Sequence, residues 1–182
     1  MDIETKMRFF SIKCSRKIFT YYGGTVLRFT TLKGELMRAL IQRVTKADVT
    51  VEGHSVGSIG NGLCVFVGVT HSDTEKTVER LAKKLLHLRI FEDSSGKMNL
   101  STLDLDAQIL IVSQFTLYGD ARKGRRPSWV ASAPAESAEP LIDYLVDCLQ
   151  AEGIHVETGK FRAFMDVELT NSGPTTLIID VD

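Results

Sequence analysis

From residue 37 onward the apolar positions change period several times, and each change marks an element. Ala39 to Thr45 reads as a strand, followed by a second piece, Val49-Thr50-Val51. Glu52-Gly53-His54 is a turn, and Ser55 to Ile59 returns antiparallel. After Gly60-Asn61-Gly62, the run Leu63 to Val69 is apolar almost throughout, which predicts a central strand buried on both faces. The period then lengthens. Val78, Leu81, Ala82, Leu85 and Leu88 recur at helical spacing, behind a capping-box pattern beginning at Ser72. Arg89-Ile90-Phe91 reads as a short strand, Asp93 to Gly96 as a turn and Gln108 to Ser113 as a second central strand. A second helix is predicted over Glu136 to Ala151, with Leu141, Leu145, Cys148 and Leu149 as its stripe and Gly153 closing it. Pro140 requires that helix either to begin near Ser137 or to kink. Two last strands, Phe164 to Thr170 and Thr175 to Val181, flank a Gly-Pro segment. The pattern predicts an α+β domain: a curled, partly barrel-like sheet rich in antiparallel pairs, with two main helices packed on one side.

Composition sets limits on this picture. The chain has 182 residues, 43% hydrophobic, enough for one well-buried core. Its net charge of −1 excludes a general polyanion binder, so any contact with nucleic acid must be local. No apolar run reaches membrane-spanning length. Cys14, Cys64 and Cys148 are isolated, and His54, His71, His87 and His155 are scattered. Disulfides and a metal site are therefore not expected, no cofactor motif is present, and a reducing cytoplasm fits.

Residues 1–36 differ from the rest. Seven bases against three acids give them +4, which leaves −5 for residues 37–182. A transit peptide fits badly with Asp2 and Glu4. A strand-rich appendage fits the composition of Lys17 to Tyr22 and Thr25 to Thr31. The favoured reading makes Met37 the natural start, with the preceding stretch a peripheral, weakly ordered extension.

Two polar segments interrupt apolar runs. Ser113-Gln114-Phe115-Thr116-Leu117 ends one strand, and Asn171-Ser172-Gly173-Pro174-Thr175-Thr176 lies between the last two. Alternation along a strand would put Gln114 and Thr116 on one face. Thr116 is a candidate nucleophile without a visible base, and an ordinary strand end is the competing reading. Gly173 permits close approach, and Pro174 is preceded by a bond for which cis lies only about 0.5–1 kcal/mol above trans. A simple hairpin turn competes with that reading. Arg122, Lys123, Arg125 and Arg126 form a basic loop, read either as a phosphate contact or as a solvated surface.

Jointly, the two segments resemble the signature motifs of D-aminoacyl-tRNA deacylases. Ile41-Gln42-Arg43-Val44, Gly96-Lys97-Met98-Asn99 and Gly124-Arg125-Arg126-Pro127-Ser128 support the resemblance. It implies hydrolysis of the ester between a D-amino acid and the 3′-terminal adenosine of tRNA, by a homodimer with no cofactor or metal. It implies a pocket wall of Gln114, Phe115 and Thr116, with backbone amides and the ribose 2′-hydroxyl rather than a Thr116 nucleophile. It implies a cis Gly173-Pro174 pair reaching into the partner's pocket and rejecting L-side chains, a filter that achiral glycine escapes, so that glycyl-tRNA is cleaved as well. Ser113, Arg43, Asn171 and Met165 take supporting places, Arg43 bracing the Gly-Pro segment. Thr175 departs from the usual Val of the pattern. Two alternatives stand beside this reading. One is a non-catalytic tRNA- or partner-binding domain of the same fold. The other is the relative that clears L-alanine from tRNA, which usually has Pro and Ala at the positions of Ser113 and Phe115.

Overall fold

The computed structural model describes residues 10–14, 17–22, 25–31 and 36–182, the first three stretches by their backbone course. These form β1 (Phe10–Cys14), β2 (Lys17–Tyr22) and β3 (Thr25–Thr31), an antiparallel sheet in the order β1-β2-β3. Strands β2 and β3 coincide with the two runs of β-type composition. Met1–Gly34 is one compact unit and Glu35–Asp182 another. The rest of the 1–36 extension, including the weak order expected of it, lies outside the described residues.

The second unit is built on β4, Met37–Val51, a single strand where the sequence suggested two pieces. A two-residue loop, Glu52-Gly53, joins it to β5 (His54–Ile59). Both loop residues have positive φ (52° and 80°), the twist that suits a hairpin turn. There follow β6 (Gly62–Gly68), α1 (Glu75–His87), the small pair β7 (Phe91–Glu92) and β8 (Met98–Leu100), β9 (Gln108–Ser113), a 3-10 turn (Phe115–Tyr118), α2 (Ala135–Ala151), β10 (Val156–Thr158) and β11 (Asp166–Val181). The main sheet runs β10-β9-β6-β4-β11, with β5 also on β4. Pairs to β4 are antiparallel, whereas β6–β9 and β9–β10 are parallel.

Its two faces explain the continuous apolar runs. Leu63, Val65, Ile109 and Ile111 face α1 and α2 in one core with Leu81, Leu85, Leu145 and Leu149. Cys64, Leu110 and Val112 face the opposite way, into the curl, with Val44, Val49 and Ile59. Each such side chain gives about 1.5–3 kcal/mol on full burial, so both faces hold the sheet. Gly57 lets the curl tighten: a Cβ there would lie 2.5 Å from the carbonyl oxygen of Thr158 on β10. Gly62 meets Gln108 even more closely, at 1.9 Å. Close backbone approach accounts for both glycines.

Both helix starts differ from expectation. Thr74, not Ser72, caps α1, because its side chain and that of Thr77 satisfy each other's backbone amides. Helix α2 begins at Ala135, placing Pro140 in its second turn rather than its first. Its buried stripe is Ala138, Ile142, Leu145 and Leu149. No helix among the described residues is long and apolar enough to cross a membrane.

Just before α1, burial pushes the Asp73 carboxyl up from 3.8 to about 6, against a hydrogen bond from the Thr70 amide (2.7 Å). A raised carboxyl favours the fold in its protonated state. Its stabilising contribution is complete below about pH 4 and is lost as pH rises through 6. Asp73→Asn is expected to flatten that decline in urea midpoints measured from pH 4 to 7. An unchanged pH profile would contradict it.

Candidate active site

Strand β9 stops at Ser113 because the next residue is already committed. The Gln114 amide donates to the Val67 carbonyl on β6 (2.8 Å), and the chain then winds into the 3-10 turn, with Leu117 N–H on Gln114 O (3.2 Å). Gly68 allows the turn to settle onto β6, since a Cβ there would stand 2.9 Å from the Tyr118 ring. The Tyr118 hydroxyl reaches the carbonyls of Leu36 (2.5 Å) and Gly68 (3.2 Å). The expected strand alternation therefore fails after Ser113. Gln114 and Thr116 still meet, but through a hydrogen bond from Gln114 Nε2 to Thr116 Oγ1.

Phe115 is 55% exposed and stands edge-on to Trp129, ring centroids 5.9 Å apart at 67°. Ser113, Gln114 and Phe115 line one wall of a cavity of about 700 Å³, while Trp129, Phe164 and Met165 line the others. Met165 fits there because Gly159 has no side chain: a Cβ would fall 2.5 Å from the Met165 sulfur. Thr116 is exposed on the turn beside the cavity rather than in its lining. Its hydroxyl meets an amide, not a base. Burial pushes the Cys64 thiol up to about 12, which removes it as a nucleophile at neutral pH. Among the described residues no His, Cys, Asp or Glu group gathers to hold a metal.

The Gly-Pro segment arises from strand register. On β11, Asn171 lies opposite Val44 and Thr176 opposite Gln42. Residues 172–175 thus stand opposite Arg43 alone and are pushed out of the ladder. What were expected to be two strands are one strand with an excursion. Arg43 follows Met37, Ala39 and Ile41 on the inward face of β4, so it is 6% exposed. Its guanidinium donates to Ser172 O (3.2 Å), Gly173 O (3.0 Å) and Ile90 O (2.7 Å), and meets Glu92 at 3.5 Å. The planar fork holds several carbonyls at once, which a lysine could not. Arg43 is thus buried and bonded to the carbonyls of the Gly-Pro segment. Asn171 Nδ2 ties the base of the excursion, donating to Arg43 O (2.9 Å) and Thr175 O (3.1 Å). The Gly173-Pro174 bond is cis.

Thr175 is the weak point. It is 4% exposed, and its hydroxyl is buried with no hydrogen-bond partner. Thr175→Val is expected to stabilise the protein by about 1 kcal/mol, measured by urea denaturation. A loss of similar size would mean that the hydroxyl is satisfied in solution.

Among the described residues the two motifs line different spaces. Gly173 and Arg43 border a separate space of about 630 Å³ with Asn61 and Glu92. In the basic loop, Arg122 is committed to Asp120 through Nε (2.8 Å) and Nη2 (2.7 Å), and this holds the Asp120 carboxyl down to about 2. Lys123, Arg125 and Arg126 remain exposed. Neither Trp129 nor Phe164 stood out in the sequence as a site residue. The one signal available was that Trp129 is the chain's single tryptophan.

The family described as D-Tyr-tRNA(Tyr) deacylase matches residues 40–180. A D-aminoacyl-tRNA deacylase of Brevibacillus brevis is 57% identical over 144 residues, covering 79% of this chain and 99% of the relative. The solved structure of the c-Myc DNA Unwinding Element Binding Protein is 39% identical with a TM-score of 0.73, over 79% of this chain and 97% of that one. That of a probable eukaryotic D-amino acid tRNA deacylase shares the fold, with a TM-score of 0.71 at 19% identity over 79% and 98%. Matched over both segments, the excursion and the core that carries them, the chain belongs to the D-Tyr-tRNA(Tyr) deacylase family and is an ester hydrolase acting on D-aminoacyl-tRNA.

Proposed function

We propose that the enzyme works as a homodimer in the cytoplasm, each Gly173-Pro174 excursion screening the substrate in its partner's cavity. The observation that carries this reading is the separation of the two motifs. The excursion is held outward by Arg43 and borders a different space from the Gln114–Phe115 cavity of its own chain. A second copy can bring the two together. The Gly173-Pro174 carbonyls leave room for the α-hydrogen of a D-amino acid, while an L-side chain collides with them. Achiral glycine passes, so glycyl-tRNA is also cleaved.

Water adds to the ester carbonyl, the acyl C–O bond breaks, and the ribose 3′-oxygen leaves with a proton. The adjacent ribose 2′-hydroxyl assists. The Phe115 and Thr116 amides stabilise the developing oxyanion: they open the 3-10 turn and have no acceptor within it. Gln114 and Phe115 form the wall, Met165 and Ser113 support it, and Lys123, Arg125 and Arg126 offer local phosphate contacts.

Hydrolysis of D-tyrosyl-, glycyl- and L-tyrosyl-tRNA tests the scheme, with cleavage expected for the first two alone. No cleavage of the D-ester would favour a binding domain, and equal cleavage of D and L would remove the filter. Thr116→Val is expected to keep turnover within about tenfold of wild type, a change of about 1.4 kcal/mol or less. Complete loss would restore its hydroxyl as nucleophile.

A further inference from the structure

Residues 37–182 carry −5, so a polyanion meets this body favourably only where cations gather. One such place lies apart from both the cavity and the 122–126 loop. The second half of α1 exposes Arg80, Lys83, Lys84 and His87, and Arg89 follows just beyond it. They line a groove of about 980 Å³ whose other side is the end of β11. The acids on that side are engaged: Asp180 by Arg38 at 2.7 and 3.0 Å, and Asp182 by Arg80. Arg89 gives its donors to neutral Asn99, and the Asp104 carboxylate, whose field it shares with His87, is itself hydrogen-bonded by Ser101. Lys84 and His87 also complement the helix C-terminus, but that role accounts for neither Lys83 nor Arg89.

The groove is tied to the 3-10 turn through Arg38. Bound to Asp180 of the groove, Arg38 also donates through Nη1 to Leu117 O (3.3 Å) in the 3-10 turn, and its guanidinium lies 5.8 Å from the Tyr118 ring centre. We propose that this groove seats the phosphate backbone of the tRNA substrate as it leaves the catalytic turn, with Lys83, Lys84 and Arg89 as the contacts. The proposal rests on the deacylase reading for the identity of the RNA. Its binding test does not depend on catalysis.

The test compares the full-length wild type with K83E/K84E, using uncharged tRNA for affinity and D-tyrosyl-adenosine as an ester without an RNA body. The variant is expected to bind tRNA about tenfold more weakly at physiological salt, with a log Kd–log salt slope shallower by about one to two. It should hydrolyse D-tyrosyl-adenosine at the wild-type rate. K83Q/K84Q should shift affinity in the same direction by about half as much on the logarithmic scale. Unchanged affinity and slope in K83E/K84E would overturn the groove. A wild type that cleaves neither ester, paired with a K83E/K84E variant that loses tRNA affinity, would retire the catalytic reading and uphold the groove.

Discussion

Replacing Arg43 with methionine is expected to lower stability by about 3–5 kcal/mol and, separately, to collapse the preference for D- over L-esters. The first effect follows from burial. The guanidinium is 6% exposed and supplies donors to the carbonyls of Ser172, Gly173 and Ile90. Removing it leaves those oxygens without their donor, at about 1–3 kcal/mol each where water cannot reach. Glu92 contributes less, being 3.5 Å away with a side chain 53% exposed. The second effect follows from geometry, because the carbonyl of Gly173 is one of those three acceptors. Arg43→Lys separates the two effects. An ammonium keeps the charge but not the planar fork, so it should recover part of the stability and little of the selectivity. Urea denaturation and paired D- and L-tyrosyl-tRNA hydrolysis are the measurements. A destabilised Arg43→Met enzyme with intact selectivity would reduce Arg43 to a structural residue.

Gly173→Ala should do the opposite: little to stability and much to turnover. A Cβ at Gly173 meets nothing within 4 Å in the chain, and its backbone lies outside the left-handed region. Alanine there is thus sterically free in the isolated subunit and restricts the unfolded chain, worth up to about 1 kcal/mol of added stability. In the proposed dimer the same methyl group projects toward the substrate in the partner's cavity. Overfilling a fitted space costs about 1–3 kcal/mol, or roughly 5- to 150-fold in kcat/KM for the D-ester. A thermal melt and D-tyrosyl-tRNA kinetics on one preparation suffice. Wild-type kinetics in a stable variant would mean that nothing approaches Gly173 from outside, and the filter would have to lie elsewhere.

Local signals were strong enough to be read along the chain, and relations between strands were not. Period-three-and-four spacing located α1, and Val78, Leu81, Ala82 and Leu85 are all buried as it requires. The all-apolar runs of β6 and β9 announced strands covered on both faces. Such runs carry no sign of direction, so the parallel β6–β9 pairing was invisible, as was the three-residue β10. The 3-10 turn was missed because Phe115 and Leu117 have strand-like composition, and what ends β9 is the bond from Gln114 to Val67. At the site, the two motifs stood out as polar breaks in apolar runs. Their cavity partners did not, since Trp129 and Phe164 are distant in sequence and reach the wall only through the fold. The burial of Arg43 depends on the position of Asn171 and Thr176 in the ladder.

That ladder resumes at Thr176 opposite Gln42 and continues in step to Val181 opposite Met37. The sheet closes on either side of the excursion as though residues 172–175 were an insertion. Sequence changes at the exposed Gly173 and Pro174 can therefore reshape what the tip presents without shifting a core contact elsewhere, whereas Thr175 is buried. The same arrangement concentrates risk. Among the described residues, apart from the tie from Asn171 at its base, one side chain bonds the tip, and under the proposed filter a change that tilts Arg43 would alter selectivity while every strand stays in place.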